Sequence, residues 1–334
     1  MKLLITGGAG FIGARLTRAL LAKGQLAGKA IDNIVIADQF APPADLANHA
    51  KVSVLTGPLL DQCKGFASTS FDGVFHLASA VSGECEADFD LGLRSNLDST
   101  RALLDAFRHG GRSPRLVFSS SIAVYGPDPA HPLPAVVDDD TLPCPQTSYG
   151  THKLMCEHMV ADYTRKGYID GRSARLMTVS VRPGKPNGAA SSFFSGIIRE
   201  PLAGVEAICP VDPDVAHPVS SPGKTIEGLI RVFEADREAY QGRSAMNLAG
   251  INITVAEMLK ALEEVAGPAV RARVRFQRDD TIARIVDNWP KAAKSPRAAR
   301  LGLTSDASYA DIIRQYIADC QASGLADTAL KGLS

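Results

Sequence analysis

Charge of one sign is what this chain lacks first. Its 334 residues carry 36 Lys plus Arg against 36 Asp plus Glu, so no net field draws it to nucleic acid or to an anionic membrane, and any ligand is recognised locally. Closely paired cysteines are missing as well. Cys63, Cys85, Cys144, Cys156, Cys209 and Cys320 are scattered, without the Cys and His spacing of a zinc site; free thiols in a reducing compartment and no bound metal are expected. No basic leader precedes the first apolar run, and no uninterrupted apolar stretch reaches membrane-spanning length. The expected address is therefore cytoplasmic. Internal repeats and low-complexity tails are also lacking, and a hydrophobic content of 45% leaves an ordinary globular chain with room for one large core or two unequal domains.

What is present is alternation. Short apolar runs at 2–6, Ile34–Ala37, Val52–Leu55, Gly73–Leu77, Arg115–Ser119 and Leu176–Val181 are separated in several places by helically spaced stretches such as Ala14 to Lys23. This predicts an α/β protein with a Rossmann-type, doubly wound parallel sheet covered by helices on both faces. Between Arg182 and Gly223 seven prolines interrupt the pattern, which a regular βα unit would not tolerate. Beyond it, Thr225–Ala235 reads as a helix, Ala245–Leu248 as a returning strand, and Thr254 with Glu257 as a capping box. The expected division is a first domain over 1–182, rejoined by about 224–250, and a smaller α+β substrate lobe over 183–223 and 251–334.

The first strand ends in Thr6-Gly-Gly-Ala-Gly-Phe-Ile-Gly13. In this spacing Gly7 makes the turn, Gly10 lets backbone approach a pyrophosphate, and Gly13 lets the helix pack on the strand. The amides opening the helix near Phe11 and Ile12 then face the phosphates. Asp38 closes the second run, where a carboxylate accepts from both ribose hydroxyls and repels a 2′-phosphate, favouring NAD over NADP. His76, at the end of the fourth run, reads as a structural histidine.

Tyr149 and Lys153 stand one helical turn apart on the same face, so an ammonium can lie beneath a phenol. Free tyrosine titrates near ~10, and a base useful near neutrality needs a depression of roughly three units, about 4 kcal/mol. Lys153 and the positive nicotinamide are the expected sources. Ser119-Ser-Ser121, at the end of the fifth run, offers a hydroxyl for the reacting oxygen.

Taken in order, TGGAGFIG, HLAS, Asn96, FSSSIAVYG, YGTHK and Arg182-Pro183 resemble the extended short-chain dehydrogenase/reductase family, which includes nucleotide-sugar epimerases and dehydratases. The resemblance implies that Ser121 polarises the reacting oxygen, Tyr149 exchanges the proton, and Lys153 also holds the nicotinamide ribose. It implies further that backbone around Leu77, Ala78 and Ser79, together with Pro183, lines the nicotinamide side. Adenine contact falls to Leu59 or Asp61, in a Gly57-Pro-Leu-Leu-Asp61 stretch that departs from the family's usual Gly-Asp pattern. The fourth-run motif departs too, continuing as Ala80-Val-Ser-Gly-Glu-Cys.

The proline-rich segment resembles a branch of that family that oxidises C2 of a four-carbon sugar acid with NAD⁺. A small aldonate needs a cation or amides for its carboxylate and polar partners for its hydroxyls, and within the irregular segment Lys185 and His217 are the expected substrate contacts, with Ser79, Ser121 and Tyr149 around its reacting carbon. A homodimer is the expected assembly. Nucleotide-sugar epimerase or dehydratase chemistry, and a non-catalytic dinucleotide sensor, stay open as alternatives.

Overall fold

The computed structural model describes residues 1–184 and 191–333. Five of the expected runs and a sixth segment become parallel neighbours in one sheet: β1 (Lys2–Thr6), β2 (Asn33–Asp38), β3 (Val52–Thr56), β4 (Gly73–His76), β5 (Arg115–Ser121) and β6 (Asp170–Leu176). Their order is β3-β2-β1-β4-β5-β6, and the short strand Met246–Asn247 extends the sheet beyond β6. The order reverses direction between β1 and β4, the crevice where open α/β sheets bind ligands. Register brings the strand ends level: Thr6 stands opposite both Ala37 and His76, and His76 opposite Phe118. The glycine turn, the 77–79 segment and the three serines thus share one edge.

Successive side chains of a strand face opposite ways, and β1 uses this fully. Leu3 and Ile5 enter the core under α1 (Phe11–Lys23), while Leu4 enters the core on the other face. The second face is covered by α2 (Leu59–Phe66), α3 (Ser99–Gly110) and α4 (Ser148–Arg165), through Phe66, Leu103, Phe107 and Val160. Each such fully buried large apolar side chain contributes roughly 1.5–3 kcal/mol. Apolar side chains thus fill much of both sheet faces.

The sixth strand departs from expectation. Leu176–Val181 was the expected run, yet the sheet takes Asp170–Leu176, and only Thr178–Val179 (β7) continues, in a separate three-stranded sheet with Ala216–Ser220 (β8) and Ile251–Thr254 (β9). Paired charges explain the miss. Arg172, fully buried, meets Asp170 at 2.8 Å and the Ala235 carbonyl at 2.9 Å, and Arg175 is bidentate to buried Glu157 at 2.8 and 2.7 Å. Burial by pairing hides a strand from any hydropathy pattern.

The proline-rich stretch also holds more order than its punctuation suggests. Within it α5 (Ser192–Leu202) buries Phe194, Ile197, Ile198 and Leu202 completely, with Pro201 confined to its last turn. The expected helix and strand beyond it form as α6 (Pro222–Glu234) and Met246–Asn247, and Thr254 and Glu257 cap α7 (Val255–Ala266) reciprocally, at 3.2 and 2.8 Å. With α8 (Asp280–Asp287) and α9 (Tyr309–Ala322), these pieces enclose a second core drawn from Val181 through Leu330.

Candidate active site

A cavity of about 790 Å³ runs from the glycine turn, past the three serines, to the second core. Its dinucleotide end is shaped by missing side chains. Gly7 has φ +70°, and a Cβ there would lie 2.6 Å from the Ala78 amide nitrogen; one on Gly13 would lie 2.2 Å from the Gly7 carbonyl oxygen. Only glycine permits β1, α1 and the 77–79 segment to meet this closely. No side chain caps α1, whose first residues Phe11, Ile12 and Gly13 line the cavity with Gly7 and Gly10. Unclaimed helix-opening amides at a glycine turn suit a pyrophosphate.

Asp38 stands at the end of β2, its carboxylate accepting the Ala9 amide at 2.9 Å and the Phe40 amide at 3.0 Å. A carboxylate has about four acceptor positions, so lone pairs remain for ribose hydroxyls. The donors and acceptors present therefore fit a dinucleotide. Leu77 and Ser79 line the same cavity, whereas Asp38, Leu59, Ala78 and Pro183 lie outside its wall. Leu59 opens α2, partly buried against the core of the second face. Ser79 donates to Asn96 Oδ1 at 3.1 Å, and the same oxygen accepts the Ala80 amide at 2.7 Å. Asn96 thus fixes the loop after β4. His76 is satisfied at both ring nitrogens, by Thr6 at 2.6 Å and Thr100 at 2.8 Å, and burial drives its pKa down to about 3.

The groups expected to react come from two elements locked together. Thr147 caps α4 by accepting the Gly150 amide at 3.1 Å, and Glu86 accepts the Ser148 amide at 2.7 Å. A Cβ on Gly150 would sit 2.2 Å from the Ala123 carbonyl oxygen. The helix start is thereby pressed against the turn after β5, beside Ser121. The Ser121 hydroxyl accepts the Ala123 amide at 3.1 Å, which leaves its own proton for an oxygen in the cavity.

Lys153, 3% exposed, donates to the Ser119 carbonyl at 2.7 Å, with its ammonium 4.9 Å from the Phe118 ring centre and 5.5 Å from that of Tyr149. Burial brings its pKa down to about 8, opposed by Cys156, Cys85 and Glu157. It still holds its proton at neutrality. Burial pushes Tyr149 the other way, up to about 12, while Ser121 and the positive Arg182 pull it down. The depression expected from Lys153 is thus absent in the protein alone. Desolvation outweighs the nearby cations until further positive charge arrives.

The other end of the cavity is built from distant segments: Thr178 and Val179 of β7, Arg182, Ser191, His217 of β8, Ile282 and Ile285 of α8, and the Trp289-Pro290 pair. Asp279 caps α8 by accepting the amides of Thr281 and Ile282. Ala283 and Val286 then enter the second core, and Ile282 and Ile285, one residue back on the helix, face the cavity. His217, an expected substrate contact, is 2% exposed and lies between Phe194 and Trp289, each ring centre 5.2 Å away. Its Nδ1 reaches the Pro290 carbonyl at 3.0 Å and Nε2 meets the Thr178 hydroxyl at 2.8 Å, so Nδ1 carries the proton and Nε2 accepts. Burial lowers its pKa to about 4. It joins the wall as a neutral ring whose nitrogens are already engaged. Lys185, the other expected contact, lies outside the described residues.

Arg182, Thr178, Ser191 and Trp289 were not anticipated as site residues. Arg182 was quoted only as half of a dipeptide. A faint trace of the roof exists: Ile282/Ile285 and Ala283/Val286 form two adjacent i, i+3 apolar stripes, wider than one core contact needs.

The family model described as NAD dependent epimerase/dehydratase family matches residues 3–212. A D-erythronate dehydrogenase from Cupriavidus necator is 48% identical over 96% of this chain and 98% of its own length. One from Haemophilus influenzae is 38% identical over 95% and 99%. Among solved structures, a nucleoside-diphosphate-sugar epimerase from Agrobacterium tumefaciens is 39% identical, with a TM-score of 0.87 over 97% of this chain and 96% of that one.

Proposed function

We propose that this chain, which belongs to the NAD-dependent epimerase/dehydratase family, is an NAD-dependent dehydrogenase that oxidises the C2 hydroxyl of D-erythronate to 2-dehydro-D-erythronate. The observation that carries the reading is the convergence of Ser121, Tyr149 and Lys153 on one cavity that also contains the glycine turn. The choice of sugar acid is supported by the two D-erythronate dehydrogenases, which match along nearly the whole chain.

Gly7, Gly10, Gly13, the first amides of α1, Asp38 and Lys153 would hold NAD⁺, which supplies the acceptor for hydride and a positive charge beside the phenol. Tyr149, as phenolate, takes the proton from the C2 hydroxyl as the C2–H bond yields its electron pair. Ser121 donates a hydrogen bond to the same oxygen while it becomes a carbonyl. Lys153 keeps its proton 5.5 Å from the Tyr149 ring centre, where its charge together with that of bound nicotinamide would favour the phenolate. Six free cysteines support the cytoplasmic address, and no helix among the described residues is long and apolar enough to cross a membrane.

A second reading, nucleotide-sugar epimerase, is favoured by the Agrobacterium structure. Against it stands the apolar lining of Ile282, Ile285 and Trp289; a dehydratase, the related alternative, is disfavoured by Ile122 and Ala123 after Ser121, where it tends to place acids. One assay separates the two. NADH absorbance is followed with NAD⁺ and a panel of four-carbon aldonates, beside an isomerisation test on UDP-sugars. Net NADH with D-erythronate is expected; isomerised nucleotide sugar without net NADH would overturn the proposal.

A further inference from the structure

Arg182 is the cavity's other fixed cation. Its guanidinium is gripped from behind, Nε donating to the Val179 carbonyl at 3.1 Å and Nη2 to the Ser191 hydroxyl at 3.0 Å. Its own carbonyl accepts from Arg199 Nη1 at 2.8 Å, so two guanidinium groups crowd one segment. Arg199 is neutralised by Glu200 at 2.6 Å. Arg182 has no such partner: among the described residues no carboxylate pairs with it, and residues 185–190 include no Asp or Glu. Burial and the like charge of Arg199 lower its pKa, opposed by Tyr149. A desolvated cation without a counter-ion is costly, and that cost is relieved when an anion binds.

Among the described residues, the other basic groups on the wall already have partners. Lys153 donates to the Ser119 carbonyl and would turn its remaining protons to the cofactor, and His217 is neutral with both nitrogens engaged. Position matters as much as charge. In a 2-hydroxy acid the carboxylate carbon is bonded directly to the reacting carbon, so the anion must dock beside the base, and Arg182 lines the same cavity as Tyr149 and Ser121. From this we infer that Arg182 binds the substrate carboxylate, orients C2 toward Tyr149 and Ser121, and restricts the enzyme to acids over neutral polyols. The inference rests on the proposed oxidation of a small sugar acid and names the residue that selects it.

The test compares D-erythronate with its neutral amide, D-erythronamide. For the wild type, kcat/KM with the amide should be roughly 100-fold below that with the acid, the scale of losing one partner of a desolvated charge pair. In Arg182→Gln the acid should lose roughly 100-fold more than the amide, bringing the acid/amide ratio close to one, with a smaller loss on the amide as Tyr149 loses a neighbouring cation, and with the NAD⁺ dissociation constant unaltered by calorimetry. Arg182→Lys, which retains a point charge without the planar fork, should fall between the two. Equal loss on both substrates in Arg182→Gln, or a wild type that treats acid and amide alike, would overturn the assignment. Should Arg182→Gln fail to fold, the wild-type acid/amide ratio and Arg182→Lys decide it. Should the wild type oxidise no tetronate, the proposed function fails separately; the carboxylate site is then judged by binding of glycerate against glyceramide to the NADH complex, where equal affinity overturns it.

Discussion

The two ends of the cavity are made in different ways. The dinucleotide end is a product of backbone: Gly7 and Gly13 are where they are because any Cβ would strike Ala78 or Gly7, and the level strand ends set Ser121 and the 77–79 loop beside them. The substrate end is a product of side chains, brought from β7, Arg182, β8, α8 and Trp289 across more than a hundred residues. Backbone demands force particular residue types at short, fixed spacing. Side-chain convergence leaves each contributor looking like an ordinary loop or helix residue.

The comparison breaks most sharply at Tyr149. Tyr149→Phe should lower kcat by about 10³ to 10⁴, the upper range for a positioned general base, with NAD⁺ affinity within about twofold of wild type. Near-normal turnover would remove the chemistry from this end of the cavity. Next in size is Gly13→Ala, whose methyl would meet the Gly7 carbonyl at 2.2 Å. Overpacking of this kind costs about 1–3 kcal/mol, and calorimetry should record NAD⁺ binding weakened by roughly 10- to 100-fold. Trp289→Ala tests the other end: KM for D-erythronate should rise roughly tenfold, on the scale of 1–3 kcal/mol for lost apolar contact, with the NAD⁺ dissociation constant unchanged. A change in NAD⁺ affinity instead would mean the two ends are not separable.

The smallest effect concerns His217. Its folded pKa of about 4 lies below its ordinary 6.5, so the unfolded chain binds its proton first as pH falls. Stability from this ring is complete above about pH 6.5 and is lost as pH drops from there toward 4. His76, depressed to about 3, acts in the same direction. Thermal melts of His217→Asn between pH 7 and 4 should have a slope shallower than wild type by up to one proton; an unchanged slope would contradict the buried neutral ring.

Legibility followed the same division. The glycine spacing and the Thr254/Glu257 capping box each answer a local backbone need, and each is readable as such. The Tyr149/Lys153 pair was readable because a helix enforces its spacing, and Gly150 and Thr147 explain why that helix begins where the chemistry needs it. β6 was misplaced because Arg172 and Arg175 are buried by pairing with Asp170 and Glu157, a tertiary fact. His217 was singled out as a ligand on chemical type alone, and its neighbours Thr178 and Pro290, decisive for its protonation, lie 39 and 73 residues away. Arg182 stood in plain view, but its meaning depends on what does not pair with it.

The most direct test of the central claim follows the hydrogen on C2. D-Erythronate deuterated at C2 is incubated with NAD⁺ and enzyme, and both products are read by mass spectrometry. The account predicts deuterium in the reduced nicotinamide, equimolar with 2-dehydro-D-erythronate that has lost it. Deuterium retained on carbon, or reduced cofactor formed without the label, would contradict hydride removal from C2 by this site.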